Sequence, residues 1–143
     1  MLFRSFAVEA PEDLDALCAE LTGAQRDACI TAAAVIGPSD PAEQLALCAR
    51  MPAARDAASC ARGTKVQNLG AAPVEDFVAL ADRCSSFPAA AREPCFAWLG
   101  TALAVVTDGA FARDGCPRLR SAAGRRACAD GAAASDGALE TFS

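Results

Sequence analysis

CAELTGAQRDAC (residues 18–29) and CSSFPAAAREPC (residues 84–95) each open and close on cysteine with ten residues between, whereas CARMPAARDAASC (48–60) and CPRLRSAAGRRAC (116–128) enclose eleven. The alternation, short then long, occurs twice. Second-half cysteines follow their first-half counterparts at offsets of 66, 66, 68 and 68, as a tandem duplication of a two-pair unit would place them. Flanking residues keep the same register. A large apolar residue stands three places after each first cysteine: Leu21, Met51, Phe87 and Leu119. An arginine stands three before the second cysteine in three segments (Arg26, Arg92, Arg125), with Arg55 two places earlier than that position in the fourth, and Gly63 and Gly131 both lie three past the second cysteine of the long segments.

Local signals make each segment the turn of a helical hairpin. Pro11 suits a first helical turn, followed by Glu12, Asp13 and Asp15 near the positive end of the dipole. Leu14, Leu17, Cys18 and Leu21 then form one apolar stripe. Thr22-x-x-Gln25 reads as a capping box opening the next helix, which stops at Gly37-Pro38. Asp40-Pro41-x-Glu43 restarts the pattern, Pro52 marks the second turn, the stretch from Gly70 to Pro73 separates the halves, and Pro73 and Pro88 begin the two helices of the third hairpin. The sixth helix, with Phe96, Trp98, Leu99, Leu103, Val105 and Val106, is apolar nearly all round and is predicted to be the buried centre. Gly109, Gly115 and Pro117 shorten the first helix of the fourth hairpin.

Cysteines placed a few residues either side of a tight turn lie at similar heights on two antiparallel helices, within reach of the roughly 5.5–6 Å Cα separation of a cystine. Eight cysteines allow 105 connectivities, and the regular spacing is the ground for preferring Cys18–Cys29, Cys48–Cys60, Cys84–Cys95 and Cys116–Cys128. The fold class predicted is all-α: four disulfide-linked hairpins in two tandem units, 11–70 and 73–134, stacked as a compact bundle or short superhelix. Residues 1–10 are predicted to be a non-native or disordered lead and 135–143 a flexible tail.

Composition bounds the chemistry. The chain has 143 residues, one domain's worth, with 53% apolar residues but only 6% aromatics, and alanine fills about a quarter of its positions. The absence of histidine removes Ser-His-Asp and Cys-His catalysis, HExxH centres and mixed Cys/His zinc fingers. A net charge of −5 argues against a dedicated nucleic-acid binder. No apolar run reaches the roughly 18–20 residues of a membrane-spanning helix. Closely spaced C-x2-C metal pairs are missing as well, so disulfides in an oxidising compartment are the expectation, periplasmic or secreted. Met1 to Glu9 hold no signal-peptide h-region. Leu2-Phe3-Arg4-Ser5 is what the end of a common sequencing-library adapter encodes in one frame, so a lost start by truncation is the expected resolution.

This arrangement resembles the disulfide-stapled αα-hairpin repeat proteins of bacteria, loosely the Sel1-like, TPR-related cysteine-rich repeats, over residues 11–134. The likeness is architectural. The glycine-rich pattern of Sel1 repeats is absent and their cysteines lie closer together. What the resemblance implies is an extracytoplasmic protein-interaction module whose partner is another protein.

The recurring arginines read as caps on the preceding hairpin's carbonyls or as ion pairs to the next repeat. Glu12-Asp13 and Glu75-Asp76 read as helix-start charges. Residues 1–45 carry two arginines against eight acids, whereas the last hairpin is basic. Outside the shared arginine position, Arg113, Arg118, Arg120 and Arg126 are the candidate contact for an anionic partner. No catalytic residue, metal ligand or cofactor is predicted. The expected function is a non-catalytic interaction or structural module; the alternative is a thiol protein storing copper or zinc through its cysteines.

Overall fold

The computed structural model describes residues 8–66, 69, 72–107 and 110–142, and only the backbone of 110–112 and 136–142. Leu2–Ser5, Gly70 and Gly109 lie outside the described residues. Eight α-helices and no strand occur among the described residues: α1 (Pro11–Leu17), α2 (Gly23–Val35), α3 (Pro41–Ala49), α4 (Ala54–Ala61), α5 (Val74–Asp82), α6 (Ala89–Thr107), α7 (Ala110–Gly115) and α8 (Ala122–Phe142). Short 3₁₀ turns, Arg83–Ser86 and Cys116–Arg118, follow α5 and α7.

Starts and stops follow the local chemistry. The Asp13 carboxylate accepts from the amides of Glu9 and Ala10 at 2.9 and 3.0 Å, closing the first turn of α1, and these two bonds hold its pKa below the ordinary carboxylate value. Asp40 caps α3 by accepting from Glu43 N, and Ser121 Oγ accepts from Gly124 N at the start of α8. The predicted capping box at Thr22 does not form: Thr22 stands at the N-cap without a side-chain bond, and Gly23 turns the chain with φ +59°, a left-handed value that favours glycine. Residues 8–10, assigned by the sequence to the lead, are part of the domain, since Val8 is buried and sits beside Gly37. At the other end α8 stays helical through Phe142, past the Ala134 at which the sequence reading ends the domain.

Helices pack in sequence order. α1 lies on α2, α3 on α4, and α7 with its 3₁₀ turn on α8; α2 packs on α4, α4 on α6, and α6 on α8, the most extensive contact in the molecule. One core runs through Leu14, Ile30, Leu45, Met51, Phe77, Phe87, Leu99, Leu103 and Leu119. The centrality predicted for the sixth helix holds only in part. Phe96, Leu99 and Leu103 are buried and Trp98 is partly so, but Val105 and Val106 are 56% and 37% exposed, because they follow Ala104, the last residue of α6 that its packing buries.

Candidate functional site

Each pair of helices carries one cystine. The structure joins Cys18 to Cys29, Cys48 to Cys60, Cys84 to Cys95 and Cys116 to Cys128, with Cα separations of 5.9, 5.4, 5.6 and 5.6 Å. No cysteine is free. The alternation of spacing has a plain origin. Counted from the first residue of its helix, every second cysteine is the seventh: Cys29 in α2, Cys60 in α4, Cys95 in α6 and Cys128 in α8. The extra residue of the long segments therefore sits in the turn. That turn is built alike four times, the carbonyl of the first cysteine accepting from the amide three residues on, at Leu21, Met51, Phe87 and Leu119. Met51, Phe87 and Leu119 are thereby driven into the core, while Leu21 is half-buried.

The recurring arginines bind these turns. Arg92 Nε donates to Phe87 O at 2.9 Å and Arg125 Nη1 donates to Leu119 O at 2.7 Å, equivalent carbonyls in the third and fourth turns. Arg26 does more. Its Nη1 donates to Cys18 O at 2.9 Å, its Nε and Nη2 grip both oxygens of the nearly buried Asp56 at 3.0 Å, and Nη2 reaches Asp15 at 2.6 Å. The bonds to Asp56 and then Asp15 raise the Arg26 pKa above its ordinary value. Arg55 pairs bidentately with Asp27, and that bond, opposed by burial, lowers the Asp27 pKa.

Shallow grooves lie beside the short first helices of the pairs, and two of them gather two arginines each, while a third sets Arg83 among Asp40 and Asp76. Between α5 and the last 3₁₀ turn, Arg118 and Arg120 meet over Val78 and Ala79 in a groove of about 270 Å3, but each faces an acid: Arg118 Nη1 is 3.4 Å from Glu75 and Arg120 Nε is 3.9 Å from Asp82. Arg113 and Arg126 are exposed, make no ion pair among the described residues and do not line that groove. So the structure brings together two of the four candidate arginines, both partly neutralised. The second groove, about 280 Å3, is floored by Leu45, Ala46 and Ala49 and edged by Arg50, Arg83 and Ser86, with no carboxylate in its lining. Sequence reading missed this one, although the signal was present: Arg50 and Arg118 occupy the same position, two past Cys48 and Cys116, so Arg118 does have a counterpart. Two guanidinium groups and a hydroxyl over an apolar floor can hold a carboxylate or phosphate.

Glu12 is exposed, Asp13 serves the helix start and Glu75 faces Arg118, so the paired carboxylates stand where helix and ion-pair electrostatics use them. Among the described residues no group of three or more acids or cysteines is arranged to hold a metal ion. No described helix is long and apolar enough to cross a membrane. No protein-family model matches this chain, and no match is found among curated proteins or solved structures.

Proposed function

We propose that this protein is a non-catalytic interaction or structural module of an extracytoplasmic compartment, built by tandem duplication of a two-hairpin unit and binding another protein. The observation that carries the reading is the engagement of all eight cysteines in four local cystines. Such a set persists where thiols are oxidised, and each closed loop of a dozen residues contributes on the order of 3 kcal/mol in the chain-entropy model. An alanine-rich chain with few bulky anchors gains more from such staples than a chain with a large aromatic core. Repeat arrays bind through surfaces whose residues vary between repeats. The grooves at Arg50, Arg83 and Ser86 and at Arg118 and Arg120, with the exposed Arg113 and Arg126, favour an acidic segment of the partner.

Thiol titration of the purified chain under denaturing, non-reducing conditions tests the reading. Near-zero free thiols are expected. A count near eight would sink the cystine module and favour the soft-metal reading, because a cystine sulfur is no thiolate ligand.

A further inference from the structure

We infer that the outward face of α2 is an interface for a second copy of this chain, which seats its α8 there in head-to-tail order. The inference rests on the stacked-hairpin reading proposed above and names a partner for it.

The argument starts from how the second helices already pack. In α8, Gly124 lies under the Phe96 ring, and Gly131 lies so close to the carbonyl of Ala97 that a Cβ would stand 2.0 Å from it. Two residues past α4, Gly63 backs onto Thr31 O and Ala34 in the same way. Measured from the second cysteine, a helix thus meets its predecessor through the positions four before and three after that cysteine. The matching residues of α2 are Gln25 and Ala32, and Ile36 matches the buried Ser135 of α8.

Among the described residues nothing covers them. Gln25 and Ala32 are exposed, Ile36 is 55% exposed, and Cys29 is the one cysteine of eight that is not fully buried. Leu17 and Val35 add to this apolar area, so three of the five large exposed apolar side chains among the described residues belong to the first pair of helices. Glu9, Glu12 and Glu20, in and beside α1, are exposed as well.

The free side of α8 complements that face. The positions one and five after the second cysteine receive the next helix elsewhere: Phe96 and Gly100 in α6, and Ala34, which touches Gly63, in α2. In α8 they are Ala129 and Ala133, both exposed, with Arg126 and Asp130 exposed four residues apart on the same side. Where Gly124 accommodates Phe96 inside the molecule, Ala129 would accommodate Gln25 of the next copy, keeping a small residue opposite a large one. The order of assembly follows from the register, since the predecessor-facing side of α2 is matched by the successor-facing side of α8. Such a contact is heterologous and propagates, giving open chains or a closed ring.

Sedimentation velocity of the oxidised full chain across roughly 1 µM to 1 mM tests this. Association should grow with concentration. Ala32→Glu with Ile36→Glu should be monomeric alone, and so should Ala129→Glu with Ala133→Glu. Mixed, they should form a dimer that grows no further, because each keeps one competent end. A wild-type chain that stays monomeric throughout would overturn the inference. So would continued association of the α8-blocked variant on its own, since α2 faces would then be pairing with each other. Unchanged helicity and near-zero free thiols in those samples would leave the module reading standing while the interface falls; free thiols would bring down the module itself.

Discussion

The crossing of α2 with α4 carries an ion pair where the crossing of α6 with α8 carries a glycine under an aromatic ring, although both bring a glycine three past the second cysteine, Gly63 or Gly131, against the backbone of the preceding second helix. Asp56 and Gly124 occupy the same place, four before the second cysteine. Asp56 anchors Arg26 across the helix crossing; Gly124 receives the Phe96 ring instead, and Arg92 is left with the carbonyl of Phe87. Glycine on both sides carries the second crossing further: a Cβ on Gly100 would stand 2.1 Å from Cys128 O. One topology thus tolerates two kinds of seal, an ion pair where the position is acidic and close approach where it is glycine.

Breaking the close approach should have the largest effect. Gly131→Ala gains the roughly 1 kcal/mol of helix propensity that alanine offers, yet must push α6 and α8 apart, so a net loss of about 3 kcal/mol is expected. Chemical denaturation measures it, and a stabilised variant would show that the helices are not in backbone contact.

Next comes the buried amide of the first half. Gln44 donates to the carbonyls of Ala34 and Gly63, while its oxygen accepts from Lys65 N at 3.1 Å. Leucine stands at the equivalent positions, Leu14 and Leu80, of the first and third hairpins. Gln44→Leu restores that residue but takes the side-chain partner from Gly63 O and Lys65 N, while Ala34 O keeps its bond from Gly37 N, for a loss of about 2 kcal/mol. A neutral result in the same denaturation assay would mean that water takes over both groups.

The arginines sharpen the comparison further. Arg26→Ala should cost about 2 kcal/mol, because it strips a charged partner from Asp56, and Arg92→Ala about 1 kcal/mol, because it removes one bond to a neutral carbonyl. Equal losses would erase the distinction between the halves. The smallest effect is in pH. Asp13 and Asp27, the two carboxylates with lowered pKa values among the described residues, both lie in the first half. Their contribution is complete above the ordinary value of 3.8 and is lost as pH falls through the lowered folded values. Arg55→Ala should therefore flatten the acid limb of the stability profile without changing it at neutral pH by much; an unchanged limb would remove Asp27 from the account.

Much of this was legible in the residues. Cysteine spacing reports turn length directly, because the helix position of the second cysteine is constant, and the arginine three before it marks the carbonyl it binds. The chemistry of each helix crossing was not legible. Asp56 reads as a surface acid until Arg26 is seen beside it, and Gly124 and Gly131 read as helix weakeners until α6 is placed against them. Val8 was hidden for another reason: a single valine outside any periodic stretch carries no helical signal, yet it is buried beside Gly37. Arg50 and Arg83 went unnoticed because they meet only when α3 and the turn after α5 come together.

Tryptic mapping without reduction tests the central claim most directly, because an arginine lies inside every cysteine loop. One cystine per helix pair predicts three separate linked groups: the peptides 5–26, 27–50 and 56–62 joined together, 84–92 joined to 93–113, and 114–118 joined to 127–143. Release of 27–50 as a single peptide closed by Cys29–Cys48, or a link from Cys60 to Cys84, would contradict the account.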